Sequence, residues 1–179
     1  MLMYNYFTTL NLTPIYNLSE AEIRKAYLAV QSKCHPDQVM NLSESERLQA
    51  LQLSSSANQA YQILRSPCLR ATHLWELLVP EHSLEKFPSS PTILEESLSM
   101  REKLLEAGSA EEFRQLAEEV AGLRSKIIEH LSEIFAEKEE FLQKGWELAA
   151  HNIIRLRFMD KITEEILTKR RRFETTTHI

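Results

Sequence analysis

The chain has 179 residues, with 26 Asp/Glu against 21 Lys/Arg, a formal net charge of −5, 43% hydrophobic and 26% charged residues. That composition is ordinary for a globular protein, and the acidic balance disfavours nucleic acid and favours a basic protein surface as partner. Three glycines argue against a sheet protein with many tight turns, and no run of about 18 apolar residues exists to span a membrane.

The two cysteines, Cys34 and Cys68, form no CxxC pair, which points to free thiols in a reducing compartment. The first basic residue is Arg24, so the N-terminus reads as neither signal peptide nor mitochondrial presequence, and a cytoplasmic location is expected.

In chain order, Tyr4–Leu10 is a short apolar segment suited to covering one end of a helical unit. Ser19-Glu20-Ala21-Glu22 is a capping box, in which the serine hydroxyl and the glutamate carboxylate each satisfy a backbone N–H. It predicts a helix over 20–33 with Ile23, Ala26, Tyr27 and Val30 on one face. Cys34-His35-Pro36 breaks that helix, because proline cannot continue it and biases the residue before it toward extended geometry. Ser43-Glu44-Ser45-Glu46 is a second box, with an apolar face of Leu53, Ala57, Ala60, Tyr61 and Leu64. The two helices should pack antiparallel. Ser66-Pro67 restarts a short helix containing Leu69, Leu74, Leu77 and Leu78.

Residues 79–91 hold three of the six prolines and read as a linker. No proline follows Pro91, so long helices can run beyond it. Thr92-Ile93-Leu94-Glu95 reads as a third box, with its helix stopping at Gly108 as C′ residue. Ser109-Ala110-Glu111-Glu112 starts the next helix, whose heptad is Phe113, Leu116, Val120, Leu123, Ile127, His130 and Ile134. The chain should turn somewhere between Ala136 and Gly145. A last helix to about Arg171 turns Ala149, Ile153, Leu156, Met159, Ile162 and Ile166 inward, which completes a three-helix bundle.

Two bundle helices carry surplus apolar residues. On the first, Ile93, Met100 and Leu104 form one stripe and Leu94, Leu98 and Leu105 another, about 100° away. On the last, Ile154 and Phe158 lie off the main stripe. Such a surplus either wraps around the core or forms a docking patch, with Glu95, Glu96, Glu102 and Glu106 able to pair with a basic partner.

His35-Pro36-Asp37 presents a rigid polar hook between two helices. With no nucleophile beside it, it suits docking rather than catalysis, so no catalytic residue is assigned. Arg24, Lys25 and Lys33 give the preceding helix a basic face that would steer a partner. Cys34, His35, Cys68 and His73 are four possible zinc ligands by type but scattered by position, so neither a metal nor a cofactor is expected. Lys169-Arg170-Arg171-Arg172 complements a helix C-terminus.

The order helix, His-Pro-Asp, helix, then ANQAYQIL and a proline, resembles a J-domain. The opening YNYFTTLNL, the stretches AYLAVQSKCHPDQ and ANQAYQILRSPCLRATHLWEL, MREKL and the late RLRFMDKI together resemble the HscB-type co-chaperones. The resemblance implies an all-α protein of two domains in an L-shaped arrangement. A J-domain (an antiparallel helical hairpin with short flanking helices) would occupy 1–78, a linker 79–91 and a three-helix bundle 92–171. The tail, 172–179, matches nothing in the pattern and can be disordered.

The resemblance also implies a function. The protein would bind the iron–sulfur cluster scaffold IscU, deliver it to the DnaK-like chaperone HscA and stimulate that chaperone's ATPase, with no enzyme activity of its own. His35, Pro36 and Asp37, with Arg24, Lys25 and Lys33, would meet the chaperone. Leu94, Leu98, Glu102 and Phe158 would meet the scaffold. Gln38 stands where a lysine is common, and Glu95 and Ser99 also depart from the family pattern. The rival readings are a J-domain co-chaperone for a different client and a helical structural protein.

Overall fold

The computed structural model describes residues 4–40 and 43–177. These residues form helices and no strand, and the chain divides into two compact units, one up to His82 and one from Ser83 onward.

The first unit is built on an antiparallel hairpin of α2 (Glu20–Lys33) and α4 (Glu44–Arg65). Both start with the predicted boxes: Ser19 Oγ accepts from the Glu22 N–H, and Glu22 Oε2 accepts from the Ser19 N–H at 2.8 Å, with Ser43 and Glu46 repeating the arrangement. These bonds favour the charged carboxylate and hold both glutamates below the usual range. Short α1 (Tyr6–Thr9), capped by Asn5, lies against α4. At the other side α5 (Pro67–Leu78) follows α4 directly, with Ser66 capping it and Pro67 at its first position.

Phe7, Leu10, Ile23, Val30, Ala57, Ala60, Leu64, Leu74 and Trp75 are buried together with Cys68 and Ala71. Arg70 is buried too. Its Nη1 donates to the Leu64 carbonyl at 2.6 Å, closing the last turn of α4, and its guanidinium lies 5.1 Å from the centre of the Tyr16 ring. Leu53, predicted on the apolar face of α4, is exposed, and so is Leu69 of α5.

The second unit opens with a 3₁₀ turn at Leu84–Lys86. Leu84 is buried, and the Phe87 ring packs edge-on against His151 at 4.9 Å, so part of the predicted linker belongs to this unit. Its bundle comprises α6 (Pro91–Glu106), α7 (Ala110–Ala136) and α9 (Trp146–Thr177). Lys103 pairs with Glu119 and Arg124 with Asp160, which sets α7 antiparallel to both neighbours. Arg101 pairs with Glu165, and Arg155 with Glu96, which sets α6 and α9 parallel.

Several expectations are corrected here. Helix α6 begins at Pro91 with Ser90 Oγ accepting from the Ile93 N–H, so the Thr92 box is unused. Serine followed by a proline at the first helical position outcompetes a threonine two residues later. Gly108 has no positive φ and therefore makes no left-handed cap. Its N–H donates instead to Glu112 Oε2 at 2.8 Å, while Ser109 caps α7.

Along α7, His130 is exposed and Leu131 takes its inward place. A heptad steps at 3.5 residues per turn and an uncoiled helix at 3.6, so the face drifts by about 50° from Phe113 to His130, enough to bring Leu131, five full turns from Phe113, inward in its place. The turn falls at Glu137, followed by the short α8 (Lys138–Glu140) and a π-helical segment, Phe141–Gly145. Helix α9 runs past Arg171 to Thr177, with the Phe173 ring 5.6 Å from Phe113. The last two residues of the expected tail lie outside the described residues. Ile154, expected off the core, is buried.

Candidate docking sites

The His-Pro-Asp segment is more ordered than a bare loop. Proline at a helix start is pre-set for helical φ, so Pro36 opens one helical turn, α3 (Pro36–Val39), with His35 as its cap. The Pro36 side chain lies outside what the structure describes. His35 Nδ1 accepts from the Asp37 N–H at 3.3 Å and stands 3.5 Å from Asp37 Oδ2. The His35 and Asp37 side chains are both exposed.

Beside the hook an open groove of about 660 Å³ lies between α2 and α4, lined by Leu28, Cys34, His35, Arg47 and Leu51 among others. Arg24 is one helical turn before Leu28 and two before Gln31, so it continues this flank of α2. Lys33 is about 180° around α2 from Arg24, and Lys25 about 100°. All three are exposed. The structure therefore brings Arg24 to the groove side and sets Lys33 on the far flank. Arg47 and the exposed Leu28 and Leu51 line the groove, and sequence reasoning misses them. Their signal is apolar residues on the outward face of a hairpin, which only the packing direction makes visible.

On the second unit the two leucine stripes separate cleanly. Ile93, Met100 and Leu104 are buried, whereas Leu94, Leu98 and Leu105 are 50%, 58% and 77% exposed. The exposed three fall within about 40° of one another on α6. Arg101 lies on the same stripe and pairs with Glu165 of α9 at 3.5 Å, which shows that the stripe borders α9. The two α6–α9 ion pairs, Glu96–Arg155 and Arg101–Glu165, bracket Phe158 and set it opposite α6 between the levels of Leu94 and Ser99. Phe158 is half-buried, in a hollow of about 280 Å³ that it shares with Phe87, Arg157 and Lys161. Lys161 also lines a second hollow, which contains Leu105.

Glu102 is exposed, about 80° from Leu94, and forms one rim. Glu96 is not available to a partner. It accepts two bonds from Arg155, at 2.6 and 2.5 Å, and these raise the guanidinium pKa above its ordinary value.

The remaining candidates are used internally. His73 Nε2 accepts from the Tyr6 N–H, and the described residues contain no cluster of three His, Cys, Asp or Glu able to hold a metal ion. Lys169 Nζ donates to the carbonyls of Leu104 and Leu105 and closes the C-terminus of α6, and Arg170 pairs with Glu174. No described helix is long and apolar enough to cross a membrane.

The first unit thus displays an exposed, capped His-Pro-Asp turn on an antiparallel hairpin, and the second an exposed leucine stripe on a three-helix bundle. Residues 5–73 match the family model described as "DnaJ domain", and residues 89–167 match "HSCB C-terminal oligomerisation domain". The HscB homologue of Psychromonas ingrahamii is 32% identical over 170 residues, spanning 91% of this chain and 95% of that protein. That of Pseudoalteromonas atlantica is 31% identical, spanning 92% and 95%. The chain belongs to the HscB family of co-chaperones.

Among solved structures it resembles chaperone HscB from Vibrio cholerae, with a TM-score of 0.78, 26% identity and coverage of 95% of this chain and 99% of that one. The protein is thus a J-domain co-chaperone of iron–sulfur cluster assembly, acting with an Hsp70-type chaperone and a client and stimulating the chaperone's ATPase.

Proposed function

We propose that the first unit docks on a DnaK-like chaperone of the HscA type through His35, Pro36 and Asp37, steered by Arg24, Lys25 and Lys33. The second unit binds the scaffold protein IscU through Leu94, Leu98, Glu102 and Phe158. By holding the scaffold and touching the chaperone at once, the protein raises the effective concentration of one at the other. It also favours the client-trapping state of the chaperone by binding that state better. It hydrolyses nothing itself, since the hook has one histidine, one carboxylate and no nucleophile. In this reading it works in the cytoplasm.

The observation that carries the proposal is the α6 stripe. Leu94 and Leu98 are at least half exposed next to a buried stripe on the same helix, and α6 is tied by ion pairs to the part of α9 that carries Phe158. Apolar anchors within a charged rim are the usual form of an interface hot spot.

The test is ATPase stimulation of the cognate chaperone, with and without scaffold. His35→Gln should abolish stimulation and keep scaffold binding. Leu94→Ala/Leu98→Ala/Phe158→Ala should weaken scaffold binding about a hundredfold or more, and leave scaffold-independent stimulation intact. Unchanged stimulation in the first variant, or unchanged scaffold affinity in a folded second variant, would sink the corresponding half.

A further inference from the structure

The end of the hairpin that carries the hook has no apolar core. Val30 is the last buried residue of α2 and Ala57 the first of α4. Among the described residues between them, none whose burial is given is buried. One polar cluster spans the gap. Gln31 Nε2 donates to the Ser54 carbonyl at 3.2 Å and to Asn58 Oδ1 at 2.9 Å, and Gln31 Oε1 accepts from Ser54 Oγ at 2.9 Å. The Tyr27 hydroxyl donates to the same Asn58 oxygen at 2.9 Å, and the Tyr27 and Tyr61 rings stack just behind, centroids 4.5 Å apart. Gln31 precedes His35 by one helical turn.

We infer that Gln31 is a positioning residue for chaperone docking: it clasps α2 to α4 through Ser54 and Asn58 and so fixes where the hook stands. The inference rests on the reading of His35-Pro36-Asp37 as the docking element. Its logic is the geometry of a lever. Beyond Val30 and Ala57, the described residues of α2 and α4 make no buried apolar contact, and the side-chain hydrogen bonds between the two helices are those of Gln31 and Tyr27. Tyr27 is a further turn back from the hook. Without Gln31 the last turn of α2, and the hook with it, keeps only the loop and the close approach of the short α3 to hold it against α4, with no side-chain hydrogen bond between α2 and α4 beyond Tyr27. Hooks then sample positions that cannot dock. The apparent affinity falls by the fraction of time the hook is misplaced, while a docked hook acts as before.

This separates positioning from the hook's own contacts. Gln31→Ala and the isosteric Gln31→Glu, which loses the donor, should each raise the co-chaperone concentration for half-maximal stimulation about tenfold, with the maximum retained. Backbone amide exchange should speed up in residues 31–40 and stay unchanged around Ala60 and Leu64. His35→Gln, measured beside them, should lose the maximum itself. If His35→Gln loses stimulation but both Gln31 variants, folded, keep the wild-type half-maximal concentration, the clasp has no positioning role. If the Gln31 variants lose the maximum instead, Gln31 contacts the chaperone and the inference is equally wrong. If His35→Gln stimulates normally, the docking reading on which the inference stands has failed.

Discussion

The backbone N–H of Tyr6 donates to Nε2 of His73 at 3.1 Å, tying the first helix of the chain to α5 across 67 residues. The ring centres of Tyr6 and Phe7 lie 4.7 and 5.7 Å from that of the imidazole. An accepting Nε2 requires a neutral ring, and burial pushes the His73 pKa down from 6.5 to about 4.

In the unfolded chain the same histidine takes its proton near 6.5, so between pH 6.5 and 4 the unfolded state binds more protons than the folded one. Stability of the first unit is therefore fully present above about 6.5 and falls as the pH drops toward 4, by about 2–3 kcal/mol in all. Amide exchange at Phe7 and Leu10 against pH measures it. His73→Gln, neutral throughout, should flatten this part of the profile.

Ser97 occupies an inward position of α6 between Ile93 and Met100, and its hydroxyl is buried without a hydrogen-bond partner. An unpaired buried hydroxyl costs more than the methyl group that could replace it. Ser97→Ala should raise the stability of the bundle by up to about 1 kcal/mol, seen as a higher urea midpoint. A lower midpoint would show that the hydroxyl is paired in solution.

Glu96 and Arg155 make a two-bond pair that is partly shielded from water. A double-mutant cycle with Glu96→Gln and Arg155→Met should give a coupling of about 1–2 kcal/mol. Arg155→Lys should recover less than half of it, because an ammonium cannot grip both oxygens in one plane. The same cycle on Lys103 and Glu119, a pair more open to solvent, should give a smaller coupling that fades as salt is added.

Phe173 lies in the stretch expected to be a tail, yet its ring meets that of Phe113. Phe173→Ala should lower the stability of the bundle by about 1 kcal/mol. An unchanged thermal midpoint would mean the last turns of α9 contribute nothing to the packing.

What is legible in the sequence is what local chemistry decides. The Ser19 and Ser43 boxes each act within four residues, so the starts of α2 and α4 can be placed to the residue. Buried and exposed stripes on α6 can be separated because they differ by a fixed rotation. The departures have equally definite causes. Thr92 reads as a cap only while Ser90 and Pro91 are assigned to the linker. His130 falls inward only if a coiled-coil period is applied to a helix that does not supercoil over that length. The groove side of α2 is undecidable from the sequence because Arg24, Lys25 and Lys33 are all outward, and only the direction of α4 tells which flank meets the hook. That Phe158 stands opposite α6 between the levels of Leu94 and Ser99 depends on the register between α6 and α9, which the Glu96–Arg155 and Arg101–Glu165 pairs set.

The π-helical segment Phe141–Gly145 carries an extra residue. A π turn holds one more than an α-helix needs for the same path, so it is an insertion absorbed without breaking the helix. Deleting Gln143 would let α8 and α9 fuse into continuous α-helix with Trp146 onward undisturbed. Phe141 would then swing about 100°, away from the stacked Phe135 ring 5.1 Å from it. A gap of one residue at this point in a relative is therefore a statement about which aromatic seals the far end of its bundle.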